Sequence, residues 1–213
     1  MMFIVTFILS CTLLYFSYTH TENYLKYNTE KFNTLKLDRQ HYVVKNINKG
    51  LYLCLLVLLA TFSIIPDILF KNIWYNNLIK HFASMYVSND VVGLYMVKNL
   101  PTSTRMHHTA SVILLTMAWS VDFQTNNVGQ LLVMYTYFSA LSFPVNLYLG
   151  ARLCYKDTKW LKNVCKYIYL LSSLVNWTIQ LKMYMPSGYA MTYFGLILLI
   201  VTDDLILLKW LWS

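Results

Sequence analysis

The chain has 213 residues, of which 57% are hydrophobic and 12% charged, about half the charged share of soluble domains at about 25%. That excludes a soluble globular domain, because a fold of this size lacks the interior to hide so much apolar surface, whereas a bilayer solvates it. The formal net charge of +8 would suit nucleic acid, but the Lys and Arg residues stand between apolar runs, which argues for the membrane surface as the partner and against nucleic acid.

In chain order the apolar runs cover residues 1–21, 51–70, 81–97, 107–121, 131–149, 164–183 and 189–208. They predict an all-α, polytopic transmembrane helical bundle of about seven spans. The first run has no charged residue, no Lys or Arg before Lys26 and no small-residue cleavage site, so it reads as a retained span rather than a signal peptide. Residues 22–50 read as a basic, surface-lying cytosolic connector. They separate a lone first span from a six-span unit over 51–213. The second run has Pro66-Asp67 near its end, the third carries Asp90 and the fifth contains Pro144. The third and fourth are close to the lower limit for spanning, about 17 residues.

Charge placement orients the bundle. With the N-terminus lumenal, the cytosolic segments 22–50, 98–106 and 150–166 hold 13 of the 17 basic residues, as the positive-inside rule requires. The C-terminus is then cytosolic. Removing the first run would leave the same residues facing the cytosol. Cys11, Cys54, Cys154 and Cys165 show no CxxC or CxxH spacing, which argues against a zinc site and for free thiols. No metal ligand set is read from the sequence.

Polar residues at membrane depth are costly, so each is a functional candidate. His107-His108 opens the fourth run. Adjacent helical positions point about 100° apart, so one imidazole can face the bundle interior and the other a neighbouring helix. Histidine serves as base or nucleophile near neutral pH; an interfacial polar pair capping the helix is the other reading. Asp90 needs a partner or a water-filled pocket, and His107 or His108 on the antiparallel neighbour is a candidate. In Ser142-Phe143-Pro144-Val145-Asn146, Pro144 kinks the helix and Asn146 can hydrogen-bond across helices. The run either shapes a cavity or is a packing kink. Asp203-Asp204 in the last run can face a cavity, hold a cation or lie in the interface. Trp210 and Trp212 read as interface anchors. The sequence has no Gly-rich phosphate loop, nucleophile elbow or HExxH.

The order Asp90, then Met106-His107-His108-Thr109, then Leu141-Ser142-Phe143-Pro144-Val145-Asn146, each in apolar context, resembles the TLC family. That membrane domain is shared by ceramide synthases, translocating-chain-associating proteins and a ceroid-lipofuscinosis protein. The resemblance covers roughly 51–208. It implies a helical bundle around a lipid-sized cavity in the endoplasmic reticulum. It also implies a membrane lipid of fatty acyl or sphingoid type as partner, and leaves room for a homodimer. In the ceramide synthase branch the His pair is catalytic, which maps the catalytic role to His107 and His108 with Asp90 in support. Those enzymes use acyl-CoA as co-substrate and need no other cofactor. Their second His-Asp motif corresponds here to Leu132-Val133-Met134-Tyr135-Thr136-Tyr137-Phe138-Ser139, without His or Asp. Tyr135 and Tyr137, with Ser142, Pro144 and Asn146, are then the expected substrate contacts. The expected function is membrane lipid binding or lipid homeostasis without a complete synthase site. The alternative is acyl-CoA-dependent N-acylation of a sphingoid base by His107 and His108.

Overall fold

A computed structural model describes residues 2–183 and 188–213, with backbone alone at 188–189. The seventh apolar run begins at Tyr189, whose side chain, like Met1, lies outside the described residues. The regular secondary structure of the described residues is all helical, with no strand. The helices are α1 (Met2–Asn28), α2 (Glu30–Asn33), α3 (Leu37–Ser63), α4 (Ile65–Lys71), α5 (Asn76–Met96), α6 (Thr102–Ser120), α7 (Asn127–Leu141), α8 (Phe143–Cys154), α9 (Lys159–Lys182) and α10 (Gly188–Trp212).

Two breaks coincide with prolines. Pro66 stands in the first turn of α4 and Pro144 in the first turn of α8. Proline cannot supply an N–H to the preceding turn, so each long rod bends without ending. At the second break the Ser142 hydroxyl donates to the Ser139 carbonyl at 2.6 Å and the Val145 N–H to the Ser142 carbonyl at 2.9 Å, which pairs backbone groups at the bend. With α3–α4 and α7–α8 taken as bent rods, long helical rods occupy the places of all seven apolar runs. Four segments, Met2–Asn28, Leu37–Lys71, Asn127–Cys154 and Ala190–Trp212, are long and apolar enough to cross a membrane. The chain is thus compatible with an integral membrane protein. Large apolar side chains such as Leu13, Phe62, Phe70, Leu181 and Met191 point outward, as lipid-facing positions do.

The polar connector expected over 22–50 is built differently. Residues 22–28 extend α1, and residues 37–50 form the first half of α3, continuous with the second apolar run. Val43, Val44, Lys45, Asn46 and Asn48 are buried. Only α2 and its flanking turns remain as a connector. Nor does α1 stand alone: it lies along α5 and α3, burying Leu14, Tyr18 and Leu25. The reason is that α3 is covered on two sides. Val43, Val44 and Ile47 share a helical face that packs with Phe32 and Cys154 in one apolar cluster, while Lys45 and Lys49, on the opposite side of the helix at about 100° per residue, face Gly93 and Asp90 of α5.

α3 and α8 run in close contact because glycines stand at the crossing. A Cβ at Gly50 would meet Leu147 Cδ2 at 2.6 Å, and one at Gly150 would meet Ile47 Cγ1 at 2.7 Å and the Val43 carbonyl at 3.1 Å. Small residues at such crossings let helix backbones approach. Loops gather at two ends. At one, the Asn99 amide donates to Asp38 at 2.6 Å. At the other, the Asn76 amide donates to Asp122 at 2.5 Å and Gln124 donates to the Asn72 carbonyl at 3.0 Å. The Asn76 amide and the Gln124 backbone N–H hold the exposed Asp122 carboxyl below its usual range.

Candidate functional site

The turn between α5 and α6 sets the site's geometry. Asp90 lies six residues before the end of α5 and His108 six residues after the start of α6. Each is therefore about 9 Å into its helix at 1.5 Å per residue, and the antiparallel pairing brings the two level. Asp90 Oδ1 lies 2.9 Å from His108 Nδ1 and 2.7 Å from Lys49 Nζ of α3. Asp90 is 1% exposed and His108 2%, so water does not screen the cluster. Lys49 is aligned as a hydrogen-bond donor. The His108–Asp90 approach is close but not aligned as a hydrogen bond, and neither His108 nitrogen nor Asp90 Oδ2 has an aligned partner.

His107 points about 100° away around the helix, as the adjacent position requires. Its Nδ1 lies 3.5 Å from Asp203 Oδ2 of α10, and the Thr104 hydroxyl donates to Asp203 Oδ1 at 3.5 Å. The two imidazole rings stand 5.4 Å apart, edge to face. Asp204 accepts the Tyr135 hydroxyl at 2.9 Å and the Tyr169 hydroxyl at 2.7 Å. Asp203 and Asp204 thus face the bundle interior, the first of the readings open for them.

These groups border a cavity of about 330 Å³ between α3, α6, α8 and α10. His107, His108, Lys45, Lys49, Asp203 and Asp204 form polar parts of its wall, and Val145, Leu149, Leu207 and Trp210 apolar parts. A head-and-tail molecule matches such a wall better than a purely apolar one.

The expected site residues divide. His107, His108, Ser142 and Asn146 line this cavity, with Asp90 against His108 and Lys49. Tyr135 lies beside it, reaching in through Asp204 and lining a small pocket of about 30 Å³ that also touches His107. Tyr137 is elsewhere: its hydroxyl is 3.0 Å from Thr61 Oγ1, on an apolar pocket of about 60 Å³. Pro144 is buried at the start of α8 and shapes the kink. Sequence reasoning passed over Lys45, Lys49, Tyr169 and Arg152, all of which line the cavity. Lys45 and Lys49 are spaced i,i+4 on a segment leading straight into an apolar run, a signal that one helical face carries both inward.

Asp90, His107 and His108 also offer ligand atoms within 4.8 Å of one another, a donor set of the kind zinc takes. The Lys49 ammonium on Asp90 Oδ1 occupies the place where a cation's charge would be felt most. It makes the cluster a poorer cation site than the donor types alone suggest.

No family model matches the chain, and the searches of curated proteins and of solved structures found no match.

Proposed function

We propose that this chain is a seven-span membrane protein of TLC type, lumenal at its N-terminus and cytosolic at its C-terminus, resident in the endoplasmic reticulum. It takes a membrane lipid into the central cavity and acylates its amine. The observation that carries the reading is the buried Asp90–His108 contact at 2.9 Å opening on a cavity with both polar and apolar walls. The His107-His108 pair and the 142–146 run, on which the resemblance rests, border one space, as a shared site requires.

In this reaction the amine nitrogen of a sphingoid base attacks the thioester carbonyl of acyl-CoA. The N–H proton passes to the free Nε2 of His108, the C–S bond breaks, and the leaving thiolate takes up that proton, which returns His108 to its neutral form. Asp90 orients the ring and stabilises the imidazolium, as carboxylates do in acid–base dyads. His107, held towards Asp203, positions the acceptor.

A second reading, lipid binding in membrane homeostasis without chemistry, is favoured by Lys49. Its ammonium shares Asp90 Oδ1 with His108 and weakens the pull of the carboxylate on the ring. The missing second His-Asp motif favours it too.

The test is N-acyltransferase activity in microsomes expressing the full chain, with a sphingoid base and a panel of acyl-CoAs, against the His107→Ala/His108→Ala variant at equal expression. Activity at least about 100-fold lower in the variant is expected from loss of a general base. No activity with any acyl-CoA, while the purified chain retains bound lipid, would favour the second reading.

A further inference from the structure

The cavity wall carries two basic side chains that make no ion pair among the described residues. Lys45 of α3 is 4% exposed and lines the cavity. No acceptor lies within hydrogen-bond or ion-pair reach of it among the described residues. Its stem is fixed: a Cβ on Gly93 of α5 would come within 3.2 Å of Lys45 Cε. Arg152 of α8 lines the same cavity. Its guanidinium stacks 4.4 Å over the Trp210 ring, and its Nε is buried with no partner.

The carboxylates of the site are engaged elsewhere. Asp90 faces Lys49 and His108, Asp203 faces His107 and Thr104, and Asp204 accepts from Tyr135 and Tyr169. Burying an unpaired cation is unfavourable until a counter-ion arrives. A wall with a buried, pinned Lys45 and a half-buried Arg152 stacked on Trp210, both turned to a cavity, is therefore suited to a ligand's negative charge.

We propose that Lys45 and Arg152 form the binding site for a phosphate ester carried on an amphiphile. A phosphate offers enough oxygens to take a planar guanidinium fork and an ammonium together. The apolar wall beside them accepts the rest of such a molecule. The proposal rests on reading the cavity as the substrate site and names the charge of what enters it. The phosphate can belong to a thioester co-substrate or to a phospholipid headgroup.

Thermal unfolding of the purified full chain in detergent tests this, with two probes and their phosphate-free counterparts: coenzyme A against pantetheine, and lysophosphatidate against monoacylglycerol. The expected result is a rise in melting temperature with at least one phosphate-bearing probe and with neither counterpart. The apparent affinity should fall at least about tenfold in Lys45→Met and in Arg152→Gln, the loss of one hydrogen bond to a charged group in each. Without ligand, Lys45→Met should melt as high as the unsubstituted chain or higher, because it removes an unpaired buried charge. A response to coenzyme A alone assigns the phosphate to the co-substrate, and one to lysophosphatidate alone to a headgroup; either supports the site. No response to either probe, a response that survives both substitutions, or a ligand-free Lys45→Met that melts lower would overturn it. A phosphate response in a chain with no acyl transfer would leave this site standing and sink the proposed reaction.

Discussion

At the scale of single residues, the buried polar cluster turns on one carboxylate oxygen. Asp90 Oδ1 is approached by Lys49 at 2.7 Å and by His108 at 2.9 Å, both within the protein interior. Removing one partner of a buried ion pair leaves an uncompensated charge. Lys49→Met should therefore lower stability by about 3 kcal/mol, with Asp90→Asn in the same chain restoring part of the loss. Chemical unfolding in detergent micelles measures both, and a Lys49→Met chain as stable as the parent would show that the pair carries no such weight. The same oxygen explains why the candidate site residues were legible in the sequence but their setting was not. His107-His108 and Asp90 stand out as polar residues in apolar runs. Lys49 sits in a basic stretch that looks solvated until the helix register is known. Tyr135 and Tyr137 show a signal that was legible and unused: two residues apart on a helix they point to nearly opposite sides, so one cavity does not take both.

At the scale of elements, the prolines and glycines carry the most information. Pro66 and Pro144 mark the bends of two rods in the sequence itself, since a missing N–H acts locally. The glycines do not announce their roles. Gly150 stands where α8 meets the backbone of α3, whereas a Cβ on Gly195 of α10 meets nothing within 4 Å. Gly150→Ala should destabilise by about 1–3 kcal/mol through overpacking. Gly195→Ala should be neutral or stabilising by up to about 1 kcal/mol through helix propensity. Unfolding midpoints of the two variants, measured side by side, check the contrast. Equal effects would mean that the α3–α8 approach is not limiting. The polar segment 22–50 is the element whose nature the sequence hid. Its composition resembles a connector, yet the helix it forms is packed on two sides, its apolar face against α1 and Phe32 and its Lys45 and Lys49 side against α5.

At the scale of the whole molecule, the order of rods and the distribution of basic residues make a topology that can be tested. The turns at 72–75 and 121–126 lie together, tied by Gln124 and Asn72 and by Asn76 and Asp122. The start of α3 lies with the turn at 97–101 through Asp38 and Asn99. For seven spans with a lumenal N-terminus, a glycosylation acceptor inserted at 72–75 or 121–126 should be modified in the endoplasmic reticulum, and one at 97–101 or 155–158 should not. Modification at 97–101 would invert the orientation and move the mouth of the cavity to the lumen.

Composition and periodicity alone determined that this chain is helical and too apolar for a soluble domain, and local chemistry determined where two rods bend. The polar residues inside apolar runs named themselves because few such side chains would stand at membrane depth without a purpose. Only the tertiary structure decided which of them meet. It set Asp90 level with His108, turned His107 to Asp203, gave Asp204 to two tyrosines and carried Tyr137 away to Thr61. Those outcomes depend on helix register and crossing distance, which arise from packing between rods distant in sequence, and no single segment encodes them.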